Sequence, residues 1–493
     1  MMNNQRLINW LAGLGGHLRD FFRSRRPARP DLHTAWQHQA DLPDFVIACP
    51  VAQRYLKLLG PLAWDQLPER DLQRNWGQPT IPYAAFSAAC LVKLNEGQDS
   101  MGKLRDFILD HPALLWLLGF PLVLSNHAPL GFDPEASLPT ARHLTRMLRT
   151  IPNPVLQFLL ADTVRLIRAE LRVQGISSGD CISLDTKHII AWVKENNPKA
   201  YVTRRYDKTS QPKGDADCKL GCKRRRNRQA ASQELPPTPR QNPQPAKTVP
   251  IGEFYWGYGS GLVATKVPDW GEFAVAELTQ PFDRAEVTYF FPLMTTTEQR
   301  LGGKPRFGAF DAALDAFYVY AYFHSDQHDG FAAVPFAEKG GYKVNQRQFD
   351  QKGYPRCAAG LSMALKFTFI DRTRAIIEHE RAKYVCPLRF PKLTGQPCPL
   401  AHPRWQKGGC TADMPTSIGA RLRYQLDRHS PAYKQVYNQR TATERINAQA
   451  VALGIERPKL RNHQAIANLN TLIYTLINLR MLHRIRQRLA END

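Results

Sequence analysis

Three acidic residues, far apart in the chain, stand where a carboxylate could do chemistry. Asp185 follows the apolar run Ile182-Ser183-Leu184, Asp311 follows the apolar strand predicted at Arg306–Phe310, and Glu444 lies in a helix predicted from Pro431. Mg²⁺ takes oxygen ligands, and two such ions roughly 3.5–4 Å apart can activate water and stabilise a leaving oxygen. The three acids are therefore candidates for metal-dependent phosphodiester chemistry.

The two strand-end acids also have plainer interpretations. Asp185 could simply cap a loop, and Asp315 competes with Asp311 for the second position. Asp315 is the better placed of the two to cap a helix beginning at Ala316. The sequence therefore favours Asp311 as the second functional acid.

The third acid belongs to a helical stripe. Tyr437, Arg440 and Glu444 are spaced i, i+3 and i+7, which places them on one side of a helix. Arginine can bind a phosphate through two hydrogen bonds while a carboxylate holds a metal ion beside it. The alternative is a solvated face with an Arg440–Glu444 ion pair, which would stabilise little beyond the helix itself.

The composition points to a nucleic-acid partner. The chain has 493 residues, of which 43% are hydrophobic, and a formal net charge of +22. This length predicts several domains, and a positive charge this large favours a polyanionic partner over a merely basic soluble protein. No run of 18 apolar residues predicts a membrane span, so we expect no membrane partner. The odd number of cysteines in a large chain fits a reducing cytoplasm.

One basic helix could lie on DNA. Arg142, Arg146 and Arg149 recur on one face of a helix predicted from Pro139, opposite an apolar side. This pattern suits a DNA-binding helix, although an ordinary solvated face would show the same spacing.

The remaining elements alternate between strands and helices. Strands are predicted at Ile182–Asp185, Phe254–Tyr258, Leu262–Val267, Phe273–Leu278, Arg306–Phe310, Phe331–Phe336 and Leu365–Ile370. Helices are predicted at about 284–301 with Asp283 as the cap, from Ala316, from Pro431 to Gly454, and from His463 to Leu489. The order predicts a mixed α/β fold with helices on the faces of a sheet.

The nine cysteines predict neither a disulfide framework nor a zinc ribbon. Their number is odd, the chain is large, and the tightly paired C-x2-C motifs of a zinc ribbon are absent. They are Cys49, Cys90, Cys181, Cys218, Cys222, Cys357, Cys386, Cys398 and Cys410.

With these residues in view, the chain resembles a known family. Tyr437-x2-Arg440-x3-Glu444 resembles the Tyr-Arg-Glu-Lys signature of DDE transposases from bacterial insertion sequences. Ser183–Thr186 is similar to the strand that carries the first Asp of that family, and Phe310–Asp315 to the segment that carries the second. Pro198–Ala200 and Tyr255–Tyr258 are similar to accompanying segments, and the resemblance covers about residues 176–490.

The resemblance implies a ribonuclease-H-like (retroviral-integrase-like) catalytic core with a mixed sheet and flanking helices. It implies that Asp185, Asp311 and Glu444 bind two Mg²⁺ or Mn²⁺ ions, and that Tyr437 and Arg440 contact double-stranded DNA near the cut. A homodimer is expected in the DNA complex. The expected parts are a basic amphipathic segment (1–30), a helical DNA-binding domain (31–175), the first part of the core (176–336) with a basic Pro-rich loop (207–250), an insertion (337–429) and the C-terminal helices of the core (430–493).

One departure from the signature leaves alternatives open. The signature's Lys would fall at Val451, so its DNA contact could be absent or supplied by Arg445 or Lys459. An inactive DNA-binding derivative and a nuclease without strand transfer are therefore the rival functions.

Overall fold

A computed structural model describes residues 36, 42–72, 80–224, 252–324, 329–337, 347–372 and 377–491. The amphipathic segment predicted at 1–30 and the Pro-rich part of the 207–250 loop lie outside the described residues. Within them, the chain is mixed α/β, with a six-stranded mixed sheet, a three-stranded sheet and helices packed around both.

The N-terminal part is helical, as predicted. Its α-helices are α1 (Asp44–Ile47), α2 (Pro50–Leu59), α3 (Tyr83–Asn95), α4 (Met101–Leu109), α5 (Pro112–Leu117), α6 (Pro134–Ser137), α7 (Ala141–Thr150) and α8 (Asn153–Val173). Helix α7 starts two residues later than expected, because the Thr140 hydroxyl, rather than a turn opened by Pro139, caps it by accepting a hydrogen bond from His143 N–H. No helix of the described residues is long and apolar enough to cross a bilayer.

The larger sheet joins antiparallel and parallel strands. Its strands are β1 (Cys181–Ile190), β2 (Lys219–Arg224), β3 (Gly252–Val267), β4 (Gly271–Pro281), β5 (Phe307–Ala309) and β6 (Phe331–Ala333). Strand β3 pairs antiparallel with β1, β2 and β4, whereas β1 pairs parallel with β5 and β5 with β6. The sheet therefore has an antiparallel half and a parallel half that meet at β1.

Long-range pairing extends β1, β3 and β4 beyond the predicted limits, whereas β5 and β6 are shorter than predicted. Strand β1 continues past Asp185 to Ile190, because residues 182–190 pair without interruption with residues 257–265 of β3. The two strands predicted at Phe254–Tyr258 and Leu262–Val267 are one strand. The start of the predicted basic loop forms β2, which pairs with the first residues of β3.

Helices after the sheet strands cover its faces and complete the core. They are α9 (Val287–Leu301), α10 (Phe317–Phe323), α11 (Ile418–Gln425), α12 (Pro431–Tyr437), α13 (Thr441–Ala452) and α14 (His463–Ala490). The prediction that Asp283 caps α9 is wrong, since α9 begins at Val287 and has no side-chain cap. The single helix predicted from Pro431 to Gly454 is interrupted by a 3₁₀ turn at Asn438–Arg440, which separates α12 from α13.

Between β6 and α12 lies a small second sheet. Its strands are β7 (Ala364–Asp371), β8 (His379–Val385) and β9 (Thr411–Pro415), paired antiparallel in that order. A cluster of six buried apolar residues forms its core: Met363, Ala382, Tyr384, Ala412, Met414 and Ala420. This sheet occupies the stretch predicted as an insertion.

Asp315 holds this region to the larger sheet, and its predicted capping role is wrong. The residue before α10 is Ala316, which provides no side-chain cap. The Asp315 carboxylate is completely buried; it is ion-paired with Arg423 of α11 and accepts hydrogen bonds from Tyr320 Oη and Ala337 N–H. Burial raises the pKa of Asp315, but these hydrogen bonds lower it more, so the net shift is downward.

We predict that Asp315→Ala lowers the free energy of unfolding by about 3–5 kcal/mol, because it leaves Arg423 unpaired. Since the folded-state pKa is depressed, the stabilisation is present above the unfolded pKa of about 3.9 and is lost as the pH falls through the folded value. Urea unfolding of both proteins from pH 7 to pH 3 would measure the difference, which should shrink at the acidic end. Asp413→Ala, on an exposed position of β9, is the matched control. An equal effect of the two substitutions would contradict the prediction.

Candidate functional site

The parallel pairing of β1 and β5 brings two of the predicted acids together. Ser183 of β1 pairs with Ala309, the last residue of β5. Asp185 lies two residues farther along β1, and Asp311 lies two residues beyond the end of β5. Because neighbouring strands are about 4.8 Å apart, the two aspartates lie near each other, and the charge of Asp311 acts on Asp185. Asp311 also caps the 3₁₀ turn Ala312–Leu314, accepting a hydrogen bond from Ala313 N–H at 3.0 Å.

Asp185 is held by donors on both of its oxygens. Thr186 N–H donates to Oδ1 at 2.9 Å, and Asn447 Nδ2 of α13 donates to Oδ2 at 3.0 Å. Burial raises the pKa of Asp185 and the negative charge of Asp311 raises it further, while the Thr186 N–H, Arg440 and Asn447 oppose the rise. The carboxylate therefore lies where a positive charge would be stabilised.

Tyr437, Arg440 and Glu444 remain neighbours although a 3₁₀ turn separates α12 from α13. Arg440 Nη2 donates to Glu444 Oε1 at 2.5 Å, and the Arg440 guanidinium lies 5.8 Å from the centre of the Tyr437 ring. Glu444 lines, together with Asp185 and Asn447, an open pocket of about 390 Å³. The ion pair foreseen as the alternative interpretation is thus present. Glu444 lines the Asp185 pocket, whereas Tyr437, Arg440 and Asp311 do not.

The donor set fits a hard divalent cation. It consists of carboxylates and an amide, and the buried Oδ1 of Asn447 has no hydrogen-bond partner. Mg²⁺ and Mn²⁺ prefer such oxygen ligands. Within the described ranges, no three His, Cys, Asp or Glu side chains have the spacing of a finished metal centre.

Two residues at this site were missed by the sequence analysis. Asn447 lies three residues after Glu444, so the helical spacing that selected the stripe could have found it.

Glu286 precedes α9, where Tyr289 donates a hydrogen bond to the Gly259 carbonyl of β3. Burial raises the pKa of Glu286 to about 7, and Asp311 and Asp185 add to the rise. No strand-end pattern marks Glu286, so the sequence carries no signal for it.

Basic residues also line this pocket. Lys187, His188 and Lys223 lie there with Val451, the residue at the signature's Lys position. Lys187 Nζ donates to Glu456 at 2.5 Å, whereas the Lys223 side chain is exposed. Burial lowers the pKa of His188 to about 4, and Lys223 and Lys187 contribute to the fall.

The two cations considered as substitutes for the signature's Lys point elsewhere. Arg445 Nη1 lies 3.6 Å from Glu272 of β4, and Lys459 interacts electrostatically with Asp99 before α4. Neither residue lines the Asp185 pocket. The pocket's own lysines, on β1 and β2, are therefore the better placed cations.

Two further basic surfaces lie outside this pocket. Arg142, Arg146 and Arg149 are exposed on α7, whose buried side is Leu144, Met147 and Leu148. A cavity of about 800 Å³ lies between α2 and α14; its lining includes Arg54, Lys57, Arg480, His483 and Arg484. This cavity is larger than the Asp185 pocket but contains no carboxylate, so we assign no chemistry to it.

The chain was also compared with known proteins. No protein-family model matches it, and no curated protein matches it.

Proposed function

We propose that this chain is a DNA transposase of the DDE type. It would bind the ends of an insertion sequence, hydrolyse one DNA strand to free a 3′-OH, and join that end to target DNA. The observation that carries the proposal is that Asp185 and Asp311 follow the paired residues of two neighbouring parallel strands, and that Glu444 lines the pocket of Asp185. Three acids from distant parts of the chain thereby belong to one region.

The ribonuclease-H-like core is part of the proposal. The antiparallel strands β4, β3 and β1, followed by the parallel strands β5 and β6, are compatible with such a core. Asp185 lies in the central strand β1, and Asp311 follows the neighbouring strand β5. Glu444 lies on α13, which packs against β1, β3 and β4. The stretch between β6 and α12 would be the insertion that interrupts the core.

Asp185, Asp311 and Glu444 are the residues that would hold two Mg²⁺ or Mn²⁺ ions. Bound there, the ions would supply Lewis acidity and an activated water. Asn447 and the Thr186 N–H orient the Asp185 carboxylate, because each occupies one of its oxygens. Arg440 would bind a phosphate beside the cut, and Tyr437 would pack on the DNA backbone.

Lys187 and Lys223 are proposed to replace the missing signature Lys as phosphate contacts. Their placement beside Val451 supports this assignment, and the exposure of Lys223 leaves its ammonium open to a ligand. The proposed protein works in the cytoplasm and as a homodimer on DNA, since two element ends are joined in one reaction.

We predict that Asp185→Asn, Asp311→Asn and Glu444→Gln each abolish cleavage and joining while end binding is largely kept. The carboxylates serve the metal ions, whereas affinity for DNA comes mainly from cations. The substrate is the DNA that flanks the gene, screened for inverted repeats and assayed with Mg²⁺ by gel and filter binding. Asp110→Asn, an exposed acid at the end of α4, is the matched control. Full cleavage by any of the three variants would overturn its assignment.

A second prediction separates a transposase from a nuclease. Arg440→Ala should lower joining of a pre-cut end at least as much as nicking of an uncut end, because a bound 3′-OH must be held in line. Orientation of bound reactants contributes several kcal/mol to such steps. Arg440→Lys, which keeps the charge but loses the paired hydrogen bonds, is the control. Nicking without any joining by the unmutated chain would favour the nuclease, and tight binding without either reaction would favour the DNA-binding derivative.

A third prediction concerns α7. The triple change of Arg142, Arg146 and Arg149 to Ala should weaken end binding and flatten its salt dependence, because each lost phosphate contact removes about 0.9 from the log–log slope. The slope is obtained from affinities measured between about 50 and 200 mM salt, a range over which phosphate contacts change the affinity by about 10³–10⁵-fold. The triple Lys variant should keep it. An unchanged slope in the Ala variant would place end recognition elsewhere.

A further inference from the structure

Three cysteines that are far apart in the sequence converge at one end of the small sheet. Val385 of β8 pairs with Thr411 of β9, so Cys386 and Cys410 face each other directly beyond the paired residues. Cys357 lies in the hairpin before β7, where its N–H donates to the Leu361 carbonyl at 2.9 Å. Cys357 and Cys410 both pack against the core of this sheet.

The thiols themselves are close. Cys386 and Cys357 both interact electrostatically with the Cys410 thiol. Gly409 permits this approach: a Cβ there would lie 2.7 Å from Cys386 Cβ, and its φ of +83° disfavours other residues. All three cysteines are free thiols.

A fourth cysteine belongs to the same segment. Cys398 lies in the connection between Cys386 and Cys410 and is half-buried, although the residues on either side of it are exposed. Like Cys357 and Cys386, it opens a tight turn in which its carbonyl accepts a hydrogen bond from the N–H three residues later. Four thiols therefore come from short, turn-bounded segments of one small subdomain.

This subdomain has little apolar material to stabilise it. Its core has six buried apolar residues, whereas β7 exposes four large ones: Leu365, Phe367, Phe369 and Ile370. Small units with so little core commonly depend on a disulfide or a structural metal. Three cysteines at one end of the sheet, with Cys398 in the connection between two of them, would supply four thiolates, the ligand set of structural zinc.

We propose that Cys357, Cys386, Cys398 and Cys410 bind a structural Zn²⁺ that stabilises the small sheet. Among the described residues, no group of three or more His, Cys, Asp or Glu side chains is placed to hold a metal ion in the present arrangement. Binding therefore requires the thiols to rotate toward one another and lose their protons. Burial raises the pKa of the Cys410 thiol to about 12, so the ion must displace that proton, as zinc does when it coordinates cysteine. This site is separate from the proposed DNA chemistry.

The test is the metal content of the full-length chain, purified under reducing conditions with Zn²⁺ present and then dialysed. We expect about one zinc per chain by elemental analysis, and an intense sulfur-to-metal charge-transfer band after replacement by Co²⁺. Cys357→Ser, Cys386→Ser, Cys398→Ser and Cys410→Ser should each lose the metal. Cys49→Ser and Cys222→Ser, also half-buried but outside the subdomain, should retain it.

A measurement on the unmutated chain covers the case in which these variants fail to fold. Alkylation followed by mass spectrometry should show the four cysteines protected with zinc and reactive after a chelator, with Cys222 unchanged. A chain that retains no zinc, a Cys386–Cys410 disulfide in its place, or unchanged alkylation after chelation would overturn the proposal. None of these outcomes depends on whether the chain cuts DNA.

Discussion

Two carboxylates side by side at the parallel junction of a sheet are the constraint around which this structure is arranged. Like charges at neighbouring strand positions repel, and burial of Asp185 adds to the cost of its ionised form. The surroundings offset that cost: a backbone N–H and an amide donate to Asp185, and the Arg440 guanidinium acts on it from α13. Two carboxylates placed together in this way are suited to bind a cation, as the proposed function requires.

Another buried acid, Glu277, connects the helices and strands around this site. Glu277 of β4 is fully enclosed and accepts hydrogen bonds from Gln157 of α8, Ser260 of β3 and Thr471 of α14. Burial raises the pKa of Glu277, while the hydrogen bonds to its carboxylate oppose the rise. One polar cluster thus joins the N-terminal helices, the sheet and the last helix. A hydrophobic cluster also runs from α2 to α14, so the helical third and the sheet share a core.

The sequence predicted the elements whose signals are local. Helix α14 differs from its predicted bounds by one residue, and the apolar stretches before Asp185 and Asp311 belong to strands. The predictions were wrong where the structure of a segment depends on residues far away in the sequence. Strand β1 continues past Asp185 because β3 pairs with it, and Asp315 is enclosed because Arg423, 108 residues away, reaches it. Asn447 had the helical spacing that would have revealed it, whereas the convergence of Cys357 with Cys386 and Cys410 depends entirely on the pairing of the small sheet.

Arg440 has two possible partners, and their relative strengths bear on the proposed function. Its pair with Glu444 is partly exposed, with 28% and 49% of the side chains accessible, so it contributes only about 0.2–1 kcal/mol. A phosphate that accepts two charge-assisted hydrogen bonds binds a guanidinium more strongly. A DNA phosphate could therefore replace Glu444 as the partner of Arg440 at little cost in free energy. The Glu444 carboxylate, which lines the Asp185 pocket, would then be free to bind a metal ion. In the absence of DNA and metal ions, the ion pair with Arg440 would neutralise its charge.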